Sequence, residues 1–303
     1  MARSCGAVQN YFRQVDLFPQ LRVNQAQLES QTRALRQGAP SDFPTDIPVV
    51  VHVLDHSDAT TISDAQVASQ IEVLNEDYAG TNADLSKVPA PFAQLVGRPG
   101  LSFHLATQDP AGQPTTGITR TRTAAVDFGV DDTMKKRSSG GADAWDTTRY
   151  LNLWVCGLRG GVLGYAQFPG GDPATDGVVI ATAAFGRQGS AKAPFDLGRT
   201  ATHEIGHYLN LSHIWGEARV PTCDDTDFVG DTPNQLGPNS GKPRFPKVSC
   251  PAAPNGDMFM NYMDYVDDDS MFMFSQQQVE RMHAALQLSR SGLGASLPVP
   301  AAG

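Results

Sequence analysis

The sequence predicts an α/β (α+β) fold in which strands come first and a loop-rich half follows. Three observations point there. Short apolar runs rich in β-branched residues all lie before a histidine-rich segment near residue 200. One long helical pattern separates the first such run from the next. After Gly216 the periodicity dissolves into Pro, Gly, Asp and Asn as far as Gly256. The 303 residues could fill one large domain or two smaller ones, but no linker divides the chain into two cores and no internal repeat is visible.

The elements follow in order. Residues 1–40 are polar and rich in Gln and Arg, so they read as a leader, with a short helix expected in "NQAQLESQTRALRQG". "IPVVVHVLD", Ile47–Asp55, reads as a buried strand. In "TISDAQVASQIEVLNEDYAG", Ser63 and Gln66 have capping-box spacing and Val67, Ile71 and Leu74 recur at helical spacing. That helix should end near Gly80. "LSFHLATQD" (Leu101–Asp109), "YLNLWVCGL" and "GVVIATAAF" (Gly177–Phe185) read as further strands, with Cys156 as a small buried hydrophobe. "DLGRTATHEIGHYLNLSH" reads as a helix with Asp196 as candidate cap and Ala201, Ile205, Tyr208 and Leu209 as its apolar face. A last helix, "SQQQVERMHAALQLS", opens on a Ser275/Gln278 capping box. The tail 291–303 is expected to be flexible.

The bulk numbers narrow the function. A net charge of -9 argues against a nucleic-acid or anionic-membrane partner. No apolar run is long enough to span a bilayer. "MARSCGAVQNYFRQVD" has no apolar h-region, so no signal peptide is read there. Four cysteines (Cys5, Cys156, Cys223, Cys250) are too few for a disulfide scaffold, although Cys223 and Cys250 bracket one loop-rich stretch and could be bridged.

Chemistry concentrates in "TATHEIGHYLNLSHIWG", which holds three of the seven histidines. Positions i and i+4 share a helix face, so His203 and His207 can hold one zinc ion. Glu204 flanks that face and suits a general base. Two histidines on a surface helix would be a bland alternative, but His213 weighs against it. A continued helix would place His213 on the wrong azimuth, so the chain must turn back. Asn210 is the residue there that tolerates positive φ.

This pattern resembles the metzincin zinc proteases, with Asn210 where the long motif has glycine. Among them it resembles the pappalysin (cytophagalysin, ulilysin-like) family, some members of which carry asparagine at that position. The likeness runs through "IPVVVHVL", "YLNLWV", "LGYAQFPG", "DGVVI", the histidine motif, "DTP" and "MNYMDYVDDDSMFMFS". It implies a metzincin-like zincin: a mixed twisted sheet, a backing helix, and an active-site helix above a loop-rich lower subdomain. It implies catalytic zinc on His203, His207 and His213, with Glu204 activating water and Tyr265 supporting the oxyanion. Met263 becomes the methionine of a Met-turn. Substrate would pair with an exposed sheet edge in Gly160–Gly171, at Leu163, Gly164 and Tyr165. Asp269, just past the turn, would select Arg or Lys after the scissile bond, unless the Asp run is simply a solvated loop. Cys223 and Cys250 match one family disulfide, while Ser270 stands where the other pair would need a cysteine. "CDDTDFVGDTPNQ" resembles a structural calcium loop with Asp227, Thr232 and the Gly230 carbonyl as ligands; Asp224, Asp225 and Asp231 there are read as solvated. "RSCG", Arg3–Gly6, resembles a cysteine switch, with Cys5 on zinc in a latent form and Arg33 and Arg36 as self-processing points.

The expectation is therefore a secreted, monomeric zinc endopeptidase acting on proteins or peptides. Residues 1–40 form its pro-segment and 41–290 its catalytic domain, divided near residue 213. A zinc hydrolase on a non-protein substrate, and a metal-holding binding module, are the alternatives. The intact Glu204 weighs against the second.

Overall fold

A computed structural model describes residues 2–35, 45–57, 61–218 and 220–294. The proposed cleavage region with Arg36 and the tail from 295 lie outside the described residues. The chain opens with two helices, α1 (Ala7–Leu17) and α2 (Gln20–Leu35), where the sequence suggested one. Strand β1 (Asp46–Asp55) follows, buried along nearly all its length as its apolar run demands. Helix α3 (Asp64–Ala79) is capped by Ser63, whose side chain accepts from the Gln66 amide, and it stops at Gly80 in the left-handed region. The cap is not reciprocal: the Gln66 side-chain oxygen accepts instead from the Ser190 amide, and its nitrogen donates to the Phe185 carbonyl.

The remaining strands are β2 (Val96–Gly97), β3 (Ser102–Leu105), β4 (Ile118–Arg122), β5 (Leu151–Cys156), β6 (Gly164–Ala166) and β7 (Val178–Ala181). Helix α4 (Arg199–Tyr208) comes next, then the short strands β8 (Ser240–Gly241), β9 (Tyr265–Val266) and β10 (Phe274–Ser275), and finally α5 (Gln276–Ser289). The main sheet runs β3-β1-β5-β7-β6, with β4 pairing the far half of β1. All pairs are parallel except β6 on β7. The sheet is mixed, as the resemblance implied, and β6 is its antiparallel edge.

Alternation along β5 divides the interior. Leu151, Leu153 and Val155 face the large core with α3, α4 and the Met-rich turn, while Trp154 and Cys156 face a smaller cluster with Met134 and Tyr165. Cys156 is fully buried, as a small hydrophobe should be. Strand β3 is shorter than the run Leu101–Asp109 because that run leaves the sheet after Leu105. Asp196 does not cap α4; Gly198, at φ 75°, precedes its first residue. The reciprocal capping box of Ser275 and Gln278 forms at α5. Cys223 and Cys250 are joined by a disulfide across the loop-rich half.

Candidate active site

Helix α4 ends in a Schellman turn, where the Asn210 amide donates to the His207 carbonyl and the Leu211 amide to that of Gly206, both at 2.9 Å. Asn210 sits at φ 70°, so the expected left-handed exit is real. This turn carries His213 back over the helix. The Nε2 atom of His207 then lies 3.2 Å from that of His203 and 3.1 Å from that of His213.

Those contacts are not hydrogen bonds among the three rings. Each Nδ1 is already matched to an acceptor: His203 to the Tyr262 carbonyl at 2.6 Å, His207 to the Leu211 carbonyl at 2.8 Å, His213 to Glu217 Oε2 at 2.9 Å. In neutral imidazoles this leaves lone pairs on all three Nε2 atoms. Burial holds His203 and His207 well below the ordinary histidine range, so they are neutral. Three converging lone pairs repel unless a cation sits among them, so the donor set fits zinc. Cys5 Sγ joins the group, whose four ligand atoms all lie within 4.8 Å of one another.

Glu204 is buried against this cluster, and burial pushes its carboxyl up to about 8 against the pull of the Cys5 thiol and Arg3. Cys5 Sγ donates to Glu204 Oε2 at 3.3 Å. Burial, then the Glu204 charge, raises the Cys5 thiol. Behind Glu204 lies the edge strand: a Cβ on Gly164 would meet Glu204 Cγ at 2.9 Å and the Val179 carbonyl at the same distance. Only glycine lets the base and the edge backbone come this close. Tyr265 completes the wall, its ring centroid 5.0 Å from that of His213 and 5.8 Å from that of His203.

The N-terminal segment runs along the rim. The Leu163 amide donates to the Ser4 carbonyl, and the Gly6 amide to the Gly164 carbonyl, both at 2.9 Å. Leu163 and Gly164 therefore form an edge that pairs here with the N-terminal segment. Tyr165 offers only backbone there, because its ring is buried on the opposite side and its hydroxyl donates to Asp132. Asp269 is also displaced from its expected role. It is partly exposed and paired with Lys242, whereas Asp268 is the fully buried carboxylate. Asp268 accepts from Arg3 Nη2 at 2.5 Å, and Arg3 further donates to Thr200 Oγ1 and the Val266 carbonyl. Loop geometry, invisible in a run of three aspartates, decides which one turns inward.

Below the site, Met263 packs under α4. A Cβ on Gly206 would stand 2.4 Å from Met263 Sδ, which explains the glycine inside "HEIGH". In the candidate calcium loop, Asp227 and Thr232 are buried and bond to each other, and the Gly230 amide donates to Gln277 Oε1. Burial raises the Asp227 carboxyl to about 7. Asp231 is not merely solvated: it accepts from Ser275 Oγ and the Gln277 amide at the start of α5. Asp225 likewise accepts from the Ala218 and Thr226 amides. Sequence reasoning missed Glu217, although a carboxylate four residues after a candidate ligand was its signal. It also missed Arg3, which stood in view beside Cys5.

The sequence pattern of the M43 peptidases, pregnancy-associated plasma protein-A, matches residues 132–287. The chain belongs to the M43 peptidase family. An extracellular metalloprotease of Arthroderma benhamiae is 31% identical over 296 residues, covering 96% of this chain and 86% of that relative. Mature mirolysin of Tannerella forsythia, solved with a cleaved peptide, is 49% identical with a TM-score of 0.78, over 82% of this chain and 97% of that one. A promirolysin variant of the same organism is 46% identical with a TM-score of 0.87, over 96% of this chain and 95% of that one. This M43 peptidase is thus a zinc metalloendopeptidase made as a zymogen, with the mostly parallel twisted sheet of its relatives. It is extracellular, as the curated relatives are named. No helix among the described residues is long and apolar enough to cross a membrane.

Proposed function

We propose that His203, His207 and His213 hold the catalytic zinc, that Glu204 is the general base, and that the described form is latent through Cys5. The observation that carries this is the convergence of three imidazole lone pairs and one thiol beside a buried carboxylate. When bound, zinc supplies a Lewis acid that polarises a carbonyl and eases deprotonation of water. Glu204 Oε2, released from the Cys5 thiol, takes a proton from the attacking water and hands it to the leaving amine. The Tyr265 hydroxyl donates to the developing oxyanion. Burial keeps that phenol protonated. The Leu163 amide and Gly164 carbonyl, occupied here by Ser4 and Gly6, take an extended peptide in their place.

Residues 1–40 act as the inhibitory segment and 41–290 as the catalytic domain of a monomer. Arg3 fills the pocket of Asp268 as a basic substrate residue would, which supports preference for Arg, and more weakly Lys, after the scissile bond. Calcium on Asp227, Thr232 and the Gly230 carbonyl is supported by a buried carboxylate with no cation in contact among the described residues. The test is cleavage of a peptide library after removal of the leader. Metal-dependent cleavage that vanishes in Glu204→Ala is expected; cleavage surviving that substitution would refute the assignment of the base.

A further inference from the structure

A second pocket adjoins the zinc motif, and neither Arg3 nor Asp268 lines it. It is a cavity of about 340 Å³ between helices α1 and α2 on one hand and Phe168, Phe228 and Arg281 on the other. Phe168 meets the His207 ring edge-on at 5.2 Å, so the pocket lies one ring away from the histidine cluster. Arg281 lies at its base with a side chain only 4% exposed. Two of its nitrogens, Nε and Nη2, donate to the Asn210 carbonyl at 3.3 and 3.2 Å. The third, Nη1, donates to Glu29 Oε2 at 2.7 Å.

Glu29 belongs to α2, and so to the segment that must leave for the enzyme to work. Two other carboxylates are near. Asp227 feels the Arg281 charge but spends its oxygens on Thr232 and the Val229 amide. Glu217 spends both oxygens on His213, one on its amide and one on its ring. When α2 departs, Arg281 keeps its grip on Asn210 and presents Nη1 to a pocket walled by aromatic rings. A guanidinium held by the Asn210 carbonyl and flanked by Phe168 and Phe228 then has one nitrogen free for an anion, so such a site favours a carboxylate ligand.

We infer that Arg281 is a specificity residue of the mature cleft and that it receives a Glu or Asp side chain of the substrate. The direction follows from the bound segment. Arg3 sits on Asp268, Cys5 at the metal cluster, and α1 and α2 continue beyond it to Arg281. The cleft is therefore polarised, accepting a cation on one side of the scissile bond and an anion on the other. This rests on the reading of residues 1–40 as the inhibitory segment.

The experiment uses the full chain, folded as the zymogen and then activated by limited proteolysis between leader and catalytic domain. Peptides with Arg after the scissile bond carry either Glu or Gln at successive positions on the amino side of that bond. At one position the Glu peptide should have a kcat/KM about tenfold above its Gln partner, as a charge-assisted hydrogen bond implies. That ratio should fall to about one in Arg281→Gln. The same pair, bound to activated Glu204→Ala and read by fluorescence anisotropy, should differ about tenfold in Kd. A ratio near one at every position in the unmodified enzyme overturns the inference. So does a tenfold ratio that persists in Arg281→Gln. The peptide pair carries the test without relying on that variant to fold. Chelator-sensitive cleavage of any peptide in the set reports separately on the protease assignment, and the anisotropy arm is read even without turnover.

Discussion

Arg3→Ala in the uncut chain should release latency to a degree that the geometry sets. Arg3 is buried, and its guanidinium makes three hydrogen bonds, to Asp268 Oδ1 at 2.5 Å, Thr200 Oγ1 at 3.0 Å and the Val266 carbonyl at 3.1 Å. It also lies 5.0 Å from the centroid of the Phe195 ring. Removing one member of a buried ion pair costs about 3–5 kcal/mol, because the partner charge is stranded. Asp268 would keep the Leu197 amide at 2.8 Å and the Arg199 amide at 3.4 Å, which places the loss at the low end of that range. About 3 kcal/mol corresponds to a roughly 150-fold larger open fraction. Residual activity of the uncut protein on a fluorogenic peptide should rise by that factor or reach the activated level. Arg3→Lys keeps the charge but loses the fork, so it should fall between. If Arg3→Ala stays as silent as the parent while Cys5→Ala is active, the thiol alone holds the segment and the reasoning about Asp268 is wrong.

Other outcomes follow from single contacts. Asn210→Gly should be close to neutral, while Asn210→Ala should lower stability by about 1–2 kcal/mol, because alanine resists φ 70°; equal melting temperatures would exclude strain as the reason for asparagine. Asp264 is fully buried among Gln235, Asn239 and the Tyr265 amide, and burial raises its carboxyl to about 6. A raised carboxyl means that the folded state binds the proton more tightly. Relative to Asp264→Asn, the protein should lose stability as pH rises from about 4 to about 6 and lose no more above that; a flat difference across that window in urea titrations would contradict the shift. Calcium at about 100 times its Kd should add about 2.7 kcal/mol to the activated enzyme. An unchanged melting temperature on calcium chelation, measured with zinc retained, would remove calcium from Asp227.

The elements legible in the sequence are those with a strong local period. The apolar run of β1, the capped helix α3 and the His203/His207 pair each state their geometry within a few residues. Helix α1 was missed although Val8, Tyr11, Phe12 and Val15 stand at helical spacing, and its buried face includes the polar Asn10 and Gln14. It is held from outside, by Arg13 on Asp132, Gln14 on Gln167 and Asn10 on the Ala166 carbonyl. Strand β4, "ITRTR", is half-exposed and hides its period among Thr and Arg. At the site, the meeting of His203, His207 and His213 beside Glu204 was readable from spacing. The buried aspartate was not, since Asp267, Asp268 and Asp269 are chemically alike and only the turn into Met271 distinguishes them.

Gly206 and Met263 lie 57 positions apart, yet each sets the size allowed to the other. A methyl group at 206 would collide with the buried sulfur at 263, and relief requires the Met263 side chain to move or to be shorter. The helix and the turn beneath it are therefore free to vary only as a matched pair. Gly206→Ala combined with a smaller residue at 263 is a swap that single changes at either position do not approximate.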